Sequence, residues 1–157
     1  MKPTEPLKLI LEEMIAVYEK LLAVGKEKQE ALIKGDPELL LSIFPKESVL
    51  IKEISLLEEK RQTETVAYQA HSLSEIIANS SSTKDKEELL SYQSELKTKL
   101  IEIEAQHGLN RQLIETSLTY INNMLGLFTQ KQEASLTYSA KSYAPTTFSK
   151  SFFEAKV

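Results

Sequence analysis

The chain has no cysteine and no tryptophan. Without cysteine there is no disulfide framework and no thiolate to act as nucleophile or metal ligand, a usage that fits a reducing cytoplasm. Helix breakers are also sparse, with four glycines and five prolines in 157 residues. The glycines, Gly25, Gly35, Gly108 and Gly126, are scattered and form no loop that could cradle a phosphate. Basic residues are outnumbered, 19 against 23 acidic ones, for a net charge of −4. That balance supplies no concentrated basic face and argues against nucleic acid as the main partner. No apolar run approaches the ~18 residues of a membrane span, and the first residues lack the basic-then-apolar pattern of a secretory signal. The expected location is the cytoplasm.

What remains is a chain that is 41% hydrophobic and 27% charged, rich in Leu, Ile, Glu, Lys, Ser and Ala. An all-α fold is the default for such a composition. Pro3 and Pro6 bracket a helix start with Thr4 as N-cap, and Leu7, Ile10, Leu11, Met14, Val17, Tyr18, Leu21, Val24 and Leu32 line one face. This first helix, about 5–34, ends at Gly35, which supplies a left-handed C-terminal conformation. Asp36-Pro37-Glu38 restarts a helix at once, with aspartate as N-cap and proline at the first helical position. So short a link makes the first two helices antiparallel neighbours.

A second helix over about 37–78 carries Leu40, Ile43, Leu50, Ile51, Ile54 and Leu57, thins out between Lys60 and Ser72, and recovers at Leu73, Ile76 and Ile77. Pro45 lies inside it and predicts a kink, or an early end near Phe44. After Asn79-Ser80-Ser81-Ser82, Thr83 N-caps a third helix over about 84–131, through Leu89, Leu96, Leu100 and Ile103. Helices of these lengths span on the order of 45, 60 and 70 Å and cannot all cover one another. The sequence thus predicts an elongated antiparallel bundle of three long helices over 1–128. Cover from the first helix ends near residue 64, and the third helix projects beyond the bundle from Gly126.

The last part of that third helix holds an amphipathic stripe of Asn110, Ile114, Ser117, Ile121, Met124 and Phe128, widened by Leu113, Leu118 and Leu125. Ile114, Leu118 and Ile121 are expected mostly in the core. Residues 129–157 have no sustained period, yet they hold Tyr138, Tyr143, Phe148, Phe152 and Phe153, five of the eleven aromatics. Irregular sequence with hydrophobic anchors marks a flexible, partner-binding tail. With four lysines against two glutamates the tail is +2 and the body −6.

Enzyme chemistry finds little support. Glu104-Ala-Gln-His107 has the Glu-x-x-His spacing of a di-iron ligand pair, but such a site needs two of these motifs, and the other histidine, His71, has Tyr68 at the matching position. His107 and Asn110 read instead as a polar layer that fixes helix register. No serine sits in a Gly-x-Ser-x-Gly elbow, and no acid, base and nucleophile align. The sequence reads as a non-enzyme without metal, cofactor or small-molecule substrate.

The Lys34-Gly35-Asp36-Pro37-Glu38-Leu39 turn, the Lys46-Glu47 opening of the second helix, Asn110 with Leu113 and Ile114, the Ser117-Leu118-Thr119-Tyr120-Ile121-Asn122 run, Leu136-Thr137-Tyr138 and the final Phe152-Phe153-Glu154-Ala155-Lys156-Val157 occur in an order that resembles the FlgN family of flagellar type III export chaperones. The resemblance implies a cytoplasmic chaperone for the first and third hook-associated proteins, which form the hook-filament junction. It also implies docking at the cytoplasmic domain of the export-gate membrane protein. On that resemblance the client-binding residues are Leu118, Ile121, Leu125, Phe128, Leu136, Tyr143, Phe148, Phe152 and Phe153, and the gate-docking residue is Tyr138. Ser139 stands where many members have glycine after that tyrosine. The alternative is a structural coiled-coil adaptor or self-assembling helical protein with no client.

Overall fold

The structure, a computed structural model, describes residues 3–129. Among these the fold is all-α: α1 (Glu5–Lys34), α2 (Pro37–Ala67), α3 (Leu73–Asn79) and α4 (Thr83–Thr129). The α1–α2 turn forms as its residues dictate. Gly35 sits at φ 66° and ψ 43°, its N–H and that of Asp36 close the end of α1, and the Asp36 carboxylate accepts the Leu39 N–H at 3.1 Å. Thr4 occupies the N-cap position of α1 without a side-chain capping bond.

α1 is the central element and packs on both α2 and α4. Against α2 it is antiparallel: Lys28–Glu47 at 3.1 Å ties the ends next to the connecting turn, and Tyr68 just past the far end of α2 donates its hydroxyl to the Pro3 carbonyl ahead of α1. Against α4 it is parallel, with Lys8 bound to Asp85 at 2.7 Å, Tyr92 bonded to Glu12 and Lys99 facing Glu19 at 3.9 Å. Leu7, Leu11 and Met14 of α1, Ile43 of α2, Leu73 of α3 and Leu89 and Leu96 of α4 are fully buried in one core. Burial of such side chains contributes about 1.5–3 kcal/mol each relative to exposure.

The long second helix of the sequence reading is two helices. α2 stops at Ala67 because Gln69 adopts a left-handed φ of 55° and Ser72 then caps a new start. Ser72 accepts the Glu75 N–H at 3.3 Å while Glu75 accepts the His71 N–H at 2.8 Å, so two terminal donors are satisfied around one Ser-x-x-Glu unit. Residues 60–72 are covered on one side. Arg61, Thr65 and Ala70 are buried, and the Tyr68 hydroxyl donates to the carbonyl of Pro3, just ahead of α1. Arg61 keeps its charge paired with Glu58 at 2.6 Å.

At Pro45 α2 continues rather than ending near Phe44. Proline removes the bond to the Leu41 carbonyl, and Leu41 and Pro45 both lie on the exposed side of α2, away from the packed core. The N-cap of α4 is Ser82, whose hydroxyl accepts the Asp85 N–H at 3.4 Å, one residue earlier than Thr83. No helix among the described residues is long and apolar enough to cross a membrane.

Candidate functional site: the open end of α4

α4 carries an unbroken 3–4 repeat, Leu89, Gln93, Leu96, Leu100, Ile103, His107, Asn110, Ile114, Ser117, Ile121 and Met124. A repeat of this kind keeps one seam facing a neighbouring helix for as long as a neighbour is present. From Leu89 to Asn110 the seam is covered, with Asn110 only 3% exposed. Beyond it Ile114 is half-buried, Ser117 is exposed, and Ile121 and Met124 are 49% and 41% exposed.

The boundary is a polar layer. Gln106 donates to the Leu22 carbonyl at 3.0 Å and Asn110 to the Gly25 carbonyl at 2.9 Å, so two side-chain amides of α4 grip the backbone of α1. Gly25 makes that approach possible, because a Cβ there would lie 2.0 Å from the Gln106 Oε1. α2 completes the layer through the Lys28–Glu47 pair, whose side chains are 11% and 14% exposed, and the Lys28 ammonium also lies 5.5 Å from the Phe44 ring centre. Gly25, Lys28, Glu47, Gln106, His107 and Asn110 line a cleft of about 40 Å³. Burial, followed by the Lys28 charge, holds the His107 imidazole below its ordinary pKa. Asn110 Oδ1 is buried without a protein donor, the cost of placing an amide where its neighbours supply only one partner.

Past the layer the surface changes character. From Gln112 to Thr129 the only charged side chain is Glu115, paired with Arg111 at 3.2 Å, so the projecting helix is electrically neutral. Ile121 and Leu125 lie on its open face and Leu118 is half-buried beside them, which brings three of the predicted client-binding residues together. Ile121 is a correction to the core assignment, since cover ends well before Gly126. Met124 belongs to the same face and was legible only as a member of the stripe. The Phe128 side chain and Leu136, Tyr138, Tyr143, Phe148, Phe152 and Phe153 lie outside the described residues. Glu104 is exposed on α4 and His107 is turned into the cleft, so the two do not form a ligand pair. Among the described residues no three His, Asp or Glu side chains gather as a metal site.

A family model described as FlgN protein matches residues 1–146. The chain belongs to the FlgN family. This is a family of chaperones in flagellum biogenesis, and it implies binding of flagellar proteins. The uncharacterized protein YvyG of Bacillus subtilis (strain 168) is 28% identical over 151 residues, covering 93% of this chain and 94% of the relative. No solved structure matches.

Proposed function

We propose that this FlgN-family chain is a cytoplasmic chaperone for the first and third hook-associated proteins. It holds their terminal helical region before export and hands them to the cytoplasmic domain of the export-gate membrane protein. The observation that supports this reading is the seam of α4, which keeps its spacing past Asn110 with no helix of the same chain left to cover it among the described residues. A client's free apolar helices would assemble prematurely. The seam offers them Ile114, Leu118, Ile121, Met124 and Leu125 instead, and helix-on-helix packing supplies the affinity. Phe128 and, within residues 129–157, Leu136, Tyr143, Phe148, Phe152 and Phe153 extend the contact, with Tyr138 as the gate-docking residue. Ordering a tail on a partner costs a few kcal/mol of the gross interaction, which keeps the complex reversible without ATP.

The test is calorimetry of the full chain against the purified terminal segment of the first hook-associated protein. Ile121→Asp with Leu125→Asp should weaken binding at least ~30-fold, since each places a charge in an apolar contact. Circular dichroism should stay unchanged, because both sites are exposed. Equal affinity in a folded double variant would sink the assignment of α4 as the client site.

A further inference from the structure

The outer half of α4 is apolar around more of its circumference than the seam accounts for. At about 100° per residue, the seam and a second line, Leu109, Leu113, Tyr120 and Leu127, together occupy an arc of about 180°. Between Asn110 and Thr129 every residue outside that arc is polar or glycine, Gln112, Thr116, Thr119 and Asn123 among them. Single exposed apolar residues are ordinary, but a helix sorted into two such halves is not. The second line is bare: Leu109, Tyr120 and Leu127 are 44%, 65% and 65% exposed, and Leu113 is half-buried.

α1 walls this flank at its inner end. The seven-residue step that sets Tyr92 against Glu12 and Lys99 against Glu19 carries on to Ile33 on α1 and Leu113 on α4, so these two stand level with each other. Ile33 is nevertheless 67% exposed, so past the polar layer the last turn of α1 no longer closes on α4. No charged side chain of α4 lies on the flank, since Arg111 and Glu115 sit on the other half and pair with each other. The breadth of the arc has a measure within the same chain. α1 has two neighbours and its buried residues span about 220°, whereas a helix with one neighbour presents a stripe of about 100°. An arc of about 180° suits two neighbours lying side by side.

We infer that the client presents two helical segments to α4, one on the seam and the other on the flank of Leu113, Tyr120 and Leu127, with Ile33 at its inner end. This rests on the client reading above and gives the chemistry of the second segment: an amphipathic helix whose contacting face is apolar and uncharged. Area points the same way. From Leu109 to Leu127 α4 runs about 27 Å, so one helix laid on it covers on the order of 300 Å², well short of the ~800 Å² per partner of a stable interface. A second helix doubles the cover. Two segments of one client are also tethered, which holds the second at an effective concentration of about millimolar once the first is bound. An unlinked partner has no such advantage.

The experiment is calorimetry of the full chain against the purified terminal segment of the first hook-associated protein, paired with hydrogen exchange of the bound segment. Tyr120→Asp with Leu127→Asp should weaken binding about tenfold and Ile33→Ser about threefold, with circular dichroism unchanged because all three sites are exposed. Thr119→Asp with Asn123→Asp adds the same two charges on the polar half and should leave affinity as it was. On the unaltered chain the client should show two protected stretches joined by an exchanging link, and Tyr120→Asp with Leu127→Asp should free one and leave the other protected. A single protected stretch, full affinity in the folded flank variant, or equal weakening by the polar-half pair would overturn the inference. So would a flank substitution that changes the sedimentation of the free chain, which would assign the flank to a contact between copies. Binding lost in the seam variant and untouched in the flank variant would leave the proposed function standing and remove the second segment alone.

Discussion

Between Leu89 and Ile103 α4 buries every apolar position of its repeat, whereas between Ile114 and Met124 the same repeat runs half-covered and then bare. The residue types do not explain the change, since large apolar side chains occupy both halves, Leu and Ile in the first and Ile and Met in the second. Length does: α1 has 30 residues and α4 has 47, and because the two run parallel from a shared start near Lys8 and Asp85, α4 outlasts its neighbour. A stripe at helical spacing therefore reports that a partner exists, while the lengths and directions of the helices report whether that partner is in the same chain. The second half of this stripe is the part that no helix of the same chain covers among the described residues.

The sharpest way to break this comparison is to cut the same kind of side chain from each half. Leu96→Ala, at a position with no exposure, should lower unfolding free energy by about 3 kcal/mol. Ile121→Ala should change it by less than about 0.5 kcal/mol. Urea denaturation of the two variants reads both. Equal losses would mean that the outer half of α4 is covered in solution.

A smaller effect sits at the shared start of the two helices. Lys8, with its side chain 6% exposed, bonds Asp85 at 2.7 Å and also Glu88, and so fixes the first turn of α4 to α1. Lys8→Met should cost about 1–2 kcal/mol, in the range of hydrogen bonds to charged groups. The hydrogen bond from the Lys8 ammonium lowers the Asp85 pKa, and donating to the Asp85 and Glu88 carboxylates raises that of Lys8. A lowered carboxyl stabilises the fold above its ordinary 3.8 and loses that contribution as pH falls further; a raised ammonium stabilises it below 10.5 and loses it as pH rises. The contribution is thus a plateau between those values, and Lys8→Met should flatten both limbs in a pH series of melting temperatures.

The sequence carried the local features well and the long-range ones poorly. Gly35-Asp36-Pro37 names a turn because each residue acts on its own backbone. The break at Tyr68–Ser72 was equally local, but Leu73, Ile76 and Ile77 resume the apolar pattern and mask it; the Ser72-x-x-Glu75 capping box was the signal available. The thin stretch after Lys60 looked uncovered because it lacks large apolar residues. Instead Arg61 and Thr65 are buried there by satisfying themselves within α2, Arg61 on Glu58 and Thr65 on the Arg61 carbonyl at 2.8 Å. The grip of Gln106 and Asn110 on α1 had no local trace, since the two bonds join residues 84 and 85 positions apart and exist only once α4 is laid beside α1. The open face was half-legible: its members were readable from spacing, but the point at which cover ends was not.

The smallest effect falls at that point. His107 stands in the layer where the covered half of α4 gives way to the open one, facing Lys28 and Glu47 from α1 and α2 with Arg111 on its own helix. Burial and the Lys28 charge lower its pKa more than Glu47 raises it, so the folded chain holds the neutral ring to a lower pH than the unfolded chain does. A depressed folded pKa gives stability that is fully present above the ordinary value of 6.5 and declines as pH falls below it. Stability should therefore decline as pH falls below about 6.5, and His107→Gln should remove that slope. Hydrogen exchange locates the loss. If the layer is the boundary, acidification should speed exchange first in the amides around Asn110 and Ile114, while those of Leu96 stay protected, and uniform loss along α4 would show that the two halves open as one unit.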